Sequence, residues 1–197
     1  QSPDYVGVLR DTETPRGWAS VIGNVNFAGI GIAIDDFGFL QALRVQRSSD
    51  ARGYEYVRAK STSPAEIGRR VHVAGVFTES KLMLFIDGKP IESKPTGKHV
   101  ESQFHFYLGA DPRSEETPEQ VFHGAIDEVR VSDVARSASD FDPQERFVSD
   151  SNTLLLYHLD AGQGNHIQDS SEYGRDGWID GAEWIPGQPD TPLYSPP

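Results

Sequence analysis

The segment Arg70-Val-His-Val-Ala-Gly-Val-Phe77, followed by Lys81-Leu-Met-Leu-Phe-Ile-Asp-Gly88, constrains the fold more than any other stretch of this chain. It reads as two β-strands joined by a short polar turn. The second strand ends in Asp87-Gly88, and Asp-Gly after apolar alternation is a strong hairpin signal. A type I′ turn needs φ > 0 at both central residues, which these two residue types tolerate. A meander of this kind buries its apolar face only against a second sheet, so the expected class is all-β.

Strand signals recur along the chain with turn residues between them. Asp4–Leu9, Trp18–Gly23, Gly29–Ile34, Phe39–Gln46 and Gly53–Lys60 precede the hairpin. Phe104–Leu108, Gly124–Val131, Thr153–Leu159 and Trp178–Trp184 follow it. Phe104, Phe106 and Leu108 alternate with His105 and Tyr107, as a half-buried strand requires. Ser61–Arg69 reads as a polar loop with room for one helical turn, and Ser132–Phe141 also has room for one. Asp111–Gln120 is acidic and carries two prolines, so it reads as a solvated loop. Asp160–Gly177 is rich in Gly, Asn, Asp and Ser and reads as a structured loop. About a dozen short strands without a long amphipathic helix predict an antiparallel β-sandwich of jelly-roll type. A parallel α/β sheet would need crossover helices. Residues 1–185 read as a single domain. Residues 186–197 hold five prolines and read as a tail or linker.

A chain of 197 residues buries roughly 70 % of its unfolded surface, enough to fold without staples. There is no cysteine, and the formal net charge is −12. That charge opposes binding to a nucleic-acid backbone and docking on anionic lipid. No apolar run reaches the ~20 residues of a membrane span. The acidic surplus suits a secreted protein, extracellular or periplasmic, whose signal peptide is not in the chain.

The run Arg70–Phe77, then Leu82–Gly88, then Tyr107–Ala110, then Phe122–Val131 resembles the laminin-G-like / concanavalin A-like lectin superfamily in its bacterial multi-domain form. "HVAGVF", "LFIDGK", "LGAD" and "GAIDEVRVS" stand in that family's order. Thr153–Trp184 is similar to the motif that usually opens such a domain. It stands near the C-terminus here, and we expect residues 153–184 to close the domain. The resemblance, over residues 18–184, implies a jelly roll of two curved antiparallel sheets, often with a structural calcium ion, and usually a binding role. Glu172 and Tyr173 stand where the family has the Gly and Asn of a Gly-Asn-Gly turn, which puts the metal loop in question.

Calcium takes six to eight oxygens. By the resemblance, Asp127, Asp169 and carbonyls near Gly174 are candidate ligands, with Asp160 in the same loop. The alternative is that Asp169 braces the loop by accepting backbone N–H groups, as Asp does in turns; both readings stay open at this stage.

Asp127-Glu128-Val-Arg130 invites comparison with hydrolases that use paired carboxylates about 5–5.5 Å apart. Neighbours on a regular strand point to opposite faces, so Asp127 and Glu128 should not pair. A Glu128/Arg130 cross-strand ion pair is the structural expectation. His72 reads as a sheet histidine, and the histidines lack zinc-site spacing. There is no Gly-x-Ser-x-Gly elbow and no Gly-x-Gly-x-x-Gly phosphate loop; Gly29-Ile-Gly31 lies in a strand and reads as a bulge or close approach.

Aromatic side chains are the remaining handle, because sugar rings stack on them. Trp18, beside Pro15-Arg16-Gly17, and Tyr54 and Tyr56, after Gly53, are the candidates for ligand binding. Trp178 and Trp184 read instead as core fillers. The sequence thus points to a non-catalytic binding or adhesion module of a larger extracellular protein, recognising glycan or a cell-surface protein. The alternatives are a structural or protein-interaction spacer and, third, a divergent glycoside hydrolase or lyase.

Overall fold

The computed structural model describes residues 2–6, 18–25, 28–48, 53–114 and 117–185. The Pro-rich segment 186–197, residues 7–9 of the first expected strand, and Pro15-Arg16-Gly17 lie outside them. All regular structure in the described residues is strand. In chain order the strands are β1 (Ser2–Val6), β2 (Trp18–Gly23), β3 (Ile30–Asp35), β4 (Phe39–Arg47), β5 (Tyr54–Pro64), β6 (His72–Phe77), β7 (Lys81–Ile86) and β8 (Lys89–Pro95). They continue with β9 (Tyr107–Leu108), β10 (Asp111–Ser114), β11 (Thr117–Glu119), β12 (Asp127–Ser132), β13 (Thr153–Tyr157), β14 (His166–Ile167) and β15 (Gly177–Trp178).

Two antiparallel sheets form the sandwich. One has the order β13-β12-β1-β6-β7-β8 and the other β5-β4-β3-β2-β9. Two small hairpins, β10-β11 and β14-β15, stand beside them. The core lies between the sheets. Ile30, Ile32 and Ile34 of β3 and Leu40 and Ala42 of β4 meet Val73, Leu82, Leu84 and Val129 of the opposing sheet. Alternate residues of β3 and β4, namely Ala33, Leu43 and Val45, point outward and form a second apolar cluster with Val25. This is the period-2 pattern of a pleated strand.

The hairpin at residues 70–88 forms as its sequence requires. β6 pairs with β7 from Val73↔Ile86 to Phe77↔Leu82. Asp87 and Gly88 both take positive φ, at 48° and 73°. Asp87 does more than turn the chain: its Oδ1 accepts the His72 N–H at 3.0 Å and its Oδ2 pairs with Arg69. The His72 ring packs edge-on against Phe141 and Phe147, with centroids 5.4 and 6.2 Å away, so it is a packing residue. Gly23 and Gly31 face each other across β2 and β3. A Cβ on Gly31 would come within 2.9 Å of the Ile22 carbonyl, so Gly31 of Gly29-Ile-Gly31 is at a close backbone approach, with Gly23 as its partner.

Several segments differ from the sequence reading. Lys89–Pro95 is a strand although no strand was expected there, and it forms the sheet edge, where proline costs no interior ladder bond. Asp111–Gln120 is not a solvated loop: its ends pair as the β10-β11 hairpin and Asp111 is buried. Strand structure at Phe104–Leu108 is confined to Tyr107–Leu108, and at Trp178–Trp184 to a pair beginning at Gly177. Neither Ser61–Arg69 nor Ser132–Phe141 holds a helical turn; β5 instead runs on to Pro64. β13 pairs along β12 at the edge of the six-stranded sheet, from Val129↔Tyr157 to Ser132↔Thr153.

Candidate ligand-binding face

The three aromatic candidates lie on one face, the outer side of the five-stranded sheet. β4 and β5 pair with Val45 opposite Tyr56 and Arg47 opposite Tyr54. Directly opposed residues share a face, so both tyrosines stand with the outward-pointing Val45 and Leu43. Trp18, the first residue of β2, packs with Tyr56 on the same outer cluster of Val25, Ala33, Leu43 and Val45. Tyr54 is 45 % exposed and opens the row to solvent. Two arginines frame the tyrosines. The Arg47 guanidinium lies 4.7 Å from the Tyr54 ring centre, and that of Arg58 lies 4.9 Å from Tyr56. Such cation–π contacts hold rings in fixed attitudes while leaving N–H donors at the rim. The sequence reading missed Arg47 and Arg58, because cross-strand register, not sequence spacing, brings them to the rings.

The Asp160–Gly177 loop is organised around Asp169. Its Oδ1 accepts the N–H groups of Leu156 and Ser171, both at 2.9 Å. Its Oδ2 accepts the Ser171 hydroxyl at 2.7 Å and the Arg175 N–H at 2.8 Å. A carboxylate offers about four lone-pair positions, and all four are used. Burial would raise the Asp169 pKa, but these bonds outweigh it and hold the group below the usual carboxylate range. Asp176 extends the brace by accepting the Asp169 N–H at 2.9 Å and meeting His166 Nε2 at 2.9 Å. Tyr157 donates its hydroxyl to the Arg175 carbonyl at 2.6 Å; burial and the charges of Asp169 and Asp176 push its pKa up to about 12. Gly174 takes φ of 58° in the turn that closes this loop.

Asp127 and Asp160 belong to a different cluster. Asp127 pairs with Arg70 at 3.3 Å, and Asp160 pairs with Arg146 at 2.9 Å. Burial raises the Asp127 pKa, Arg70 opposes this, and the charges of Glu128 and Asp160 add to the rise. Between them stands Glu128, 3 % exposed, in a bulge where β1 pairs Tyr5 with Val129 and Val6 with Asp127. Its φ of 50° is unusual for a non-glycine residue and turns its side chain inward. Its Oε2 accepts the Phe147 N–H at 3.0 Å, and its Oε1 lies 2.8 Å from His158 Nδ1 and 3.5 Å from Arg146. The expected Glu128/Arg130 pair is therefore corrected: Arg130 stacks on Phe147 at 4.1 Å instead.

The structure does not bring Asp127, Asp160, Asp169 and Gly174 together as a calcium cradle. Asp127 and Asp160 each face an arginine, and Asp169 has spent its oxygens on N–H and O–H donors. Among the described residues no group of three or more acidic or histidine side chains is placed to hold a metal ion. The donor set as folded does not fit calcium.

Trp178 is a second correction. It is 71 % exposed rather than a core filler, and its ring meets His166 edge-on at 5.3 Å across the β14-β15 pair. Trp184 does pack against the core and donates its indole N–H to the Gly164 carbonyl at 2.6 Å.

A two-sheet antiparallel sandwich with an outer aromatic–arginine face belongs to the class of jelly-roll proteins. The chain is a member of the concanavalin A-like lectin/glucanases superfamily, whose family model matches residues 10–141. No curated protein sequence matches the chain. Among solved structures it is similar to a protein of Bacteroides ovatus ATCC 8483 provisionally described as a carbohydrate binding protein. That likeness has TM-score 0.60 and 22 % identity, covering 89 % of this chain and 50 % of that one. It is also similar to the heptameric SAP-like pentraxin of Limulus polyphemus, with TM-score 0.50 and 17 % identity, over 69 % of this chain and 64 % of the pentraxin. The chain thus spans about half the length of the first and under two thirds of the second; at these identities the likeness establishes the fold.

Proposed function

We propose that this chain is a non-catalytic carbohydrate-binding module acting in an extracellular or periplasmic setting. The observation that carries the reading is the gathering of Trp18, Tyr54 and Tyr56 on one outer face, with Arg47 and Arg58 against the tyrosine rings. A pyranose presents a C–H face that stacks on an aromatic ring and hydroxyls that accept from guanidinium donors. Few polar groups placed around aromatic surface are what orient such ligands. The description of the Bacteroides ovatus relative agrees with this reading.

The non-catalytic part is supported by the state of the acids. Glu128 is buried and held by Phe147, His158 and Arg146, while Asp127 and Asp160 are each paired with an arginine. A pair poised for glycoside hydrolysis needs one acid free to protonate and one free to attack.

A broad glycan array, with pull-downs on insoluble polysaccharides, tests the proposal. Binding that is lost in Tyr54→Ala and Tyr56→Ala supports it. Silence on both, from folded protein, overturns it and leaves the spacer or protein-docking role.

A further inference from the structure

Arg44, at one end of the sandwich, has no counter-charge among the described residues. On β4 it takes the inward face of Leu40 and Ala42, in register with Ile30 on β3 and Val57 on β5. It is only 5 % exposed. Its Nη1 donates to the Thr78 carbonyl in the β6–β7 turn and to Thr96 Oγ1, just after β8, at 3.3 Å. Its Nε is buried without a hydrogen-bond partner. Among the described residues no carboxylate stands within ion-pair distance of it. Burial alone pulls its pKa down, with no acid opposing.

His99 adds a second nitrogen. It bridges to Gln46 on β4, and its segment is pinned by Gly97 N–H to Gln46 Oε1 at 2.6 Å and Val100 N–H to the Val45 carbonyl at 3.2 Å. Its Nδ1 is also buried without a partner. Burial first, and then the neighbouring Arg44 charge, keep its pKa below that of an ordinary histidine.

A buried ion without a partner costs several kcal/mol, and buried donors in folded proteins are nearly always satisfied. Here a permanent cation and an imidazole share one face of the sheet, His99 standing opposite Gln46 and Arg44 two residues back along β4, each with an unmet nitrogen. We propose that Arg44 and His99 form a site for a small monovalent anion, of the size of chloride or formate. The edge of a guanidinium that carries Nε is the one that meets a carboxylate side-on, and a halide would take the same place as a single acceptor. Both nitrogens are closed off from solvent, which sets a size limit and excludes an anion as bulky as gluconate. Arg44 points to the opposite side of β4 from Val45 and Leu43, so the site is separate from the aromatic face and independent of glycan binding.

The test is thermal unfolding of the full chain in sodium chloride, sodium formate and sodium gluconate at equal ionic strength. A bound anion stabilises the folded state by mass action. The Tm in chloride or formate should exceed that in gluconate by a few degrees and saturate with concentration. Comparing the chloride and formate arms tells a halide site from a carboxylate site. Arg44→Met should abolish the difference while remaining at least as stable as wild type in gluconate, since the uncompensated charge is gone. His99→Leu should shrink the difference several-fold. Superimposed wild-type curves in the three salts overturn the proposal, as does a difference that persists in Arg44→Met. Should Arg44→Met fail to fold, His99→Leu decides: an undiminished difference there overturns it.

Discussion

Glu128 Oε1 lies 2.8 Å from His158 Nδ1, and the same carboxylate accepts the Phe147 N–H from across the loop. The pair joins β12, the residues after β13 and the 146–147 segment through one buried side chain. Glu128→Ala leaves the Phe147 amide and the His158 imidazole without their acceptor and removes the farther of the two carboxylates beside Arg146, which keeps Asp160. Removing one partner of a buried charge network costs about 3–5 kcal/mol. Urea unfolding should show that loss, and Glu128→Gln should lose less by keeping the Phe147 bond. A loss below about 1 kcal/mol in the alanine variant would contradict the bracing role.

On the outer face, Tyr54→Ala should weaken glycan binding roughly tenfold, the value of a stacking contact of about 1.4 kcal/mol. Its exposure means that Tm should hardly move. Trp178→Ala, on the separate β14-β15 hairpin, should leave that affinity unchanged. Calorimetric titration of the three proteins with the best array ligand decides between the two surfaces.

Asp111 is a buried acid whose pKa is pushed up to about 7 by desolvation, against the single bond its Oδ1 accepts from Val25 N–H at 2.9 Å. The folded state therefore holds this proton more tightly than the unfolded chain does. Its contribution to stability is fully present below about pH 4 and is lost as pH rises through about 7. Asp111→Asn keeps an acceptor for Val25 and removes the charge. It should stabilise the protein at pH 8, by up to about 4 kcal/mol, and flatten the fall in stability between pH 4 and 7. A variant less stable than wild type at pH 8 would refute the assignment.

Gly88 has φ of 73°, and a Cβ there would stand 1.8 Å from the Phe141 carbonyl oxygen. The Phe141 N–H in turn donates to the Gly88 carbonyl at 3.0 Å. Gly88→Ala thus meets backbone, with no flexible side chain to yield. It should cost more than the 1 kcal/mol or so of a left-handed alanine, by about 2–3 kcal/mol. Hydrogen exchange should place the disturbance at residues 86–89 and 141–143.

Because Asp169 already accepts four hydrogen bonds, adding calcium or a chelator should leave the Tm unchanged within a degree. A rise of several degrees with calcium would show that the loop rearranges into a cation site. Asp169→Ala should unfold the protein several degrees lower with or without the ion.

The sequence made the hairpin, most strands and the sandwich legible, because alternation and Asp-Gly turns are local signals. Lys89–Pro95 escaped because Pro90 and Pro95 argue against a strand, and only at a sheet edge is that argument void. The same prolines-as-loop inference failed at Pro112 and Pro118 in the β10-β11 hairpin. Alternation pairs Glu128 with Arg130 because it assumes an unbroken strand, and the bulge there breaks it. Tyr54, Tyr56 and Trp18 could be picked out as aromatics near turns. That they share a face, and that Arg47 and Arg58 attend them, depends on register and strand order, which no short window encodes.

β1 runs between β6 and β12, in the middle of the six-stranded sheet. Residues 2–6 thus fill a slot whose walls are residues 72–74 on one side and 127–132 on the other. Whichever partner comes first, the sheet joins into one body only when segments more than fifty residues apart along the chain have met. Loop closure of that length is slow, and until it happens β6 and β12 each present an open ladder to other chains. Refolding yield should therefore fall with protein concentration, and a peptide of residues 1–10 supplied in excess should compete for the slot and raise it.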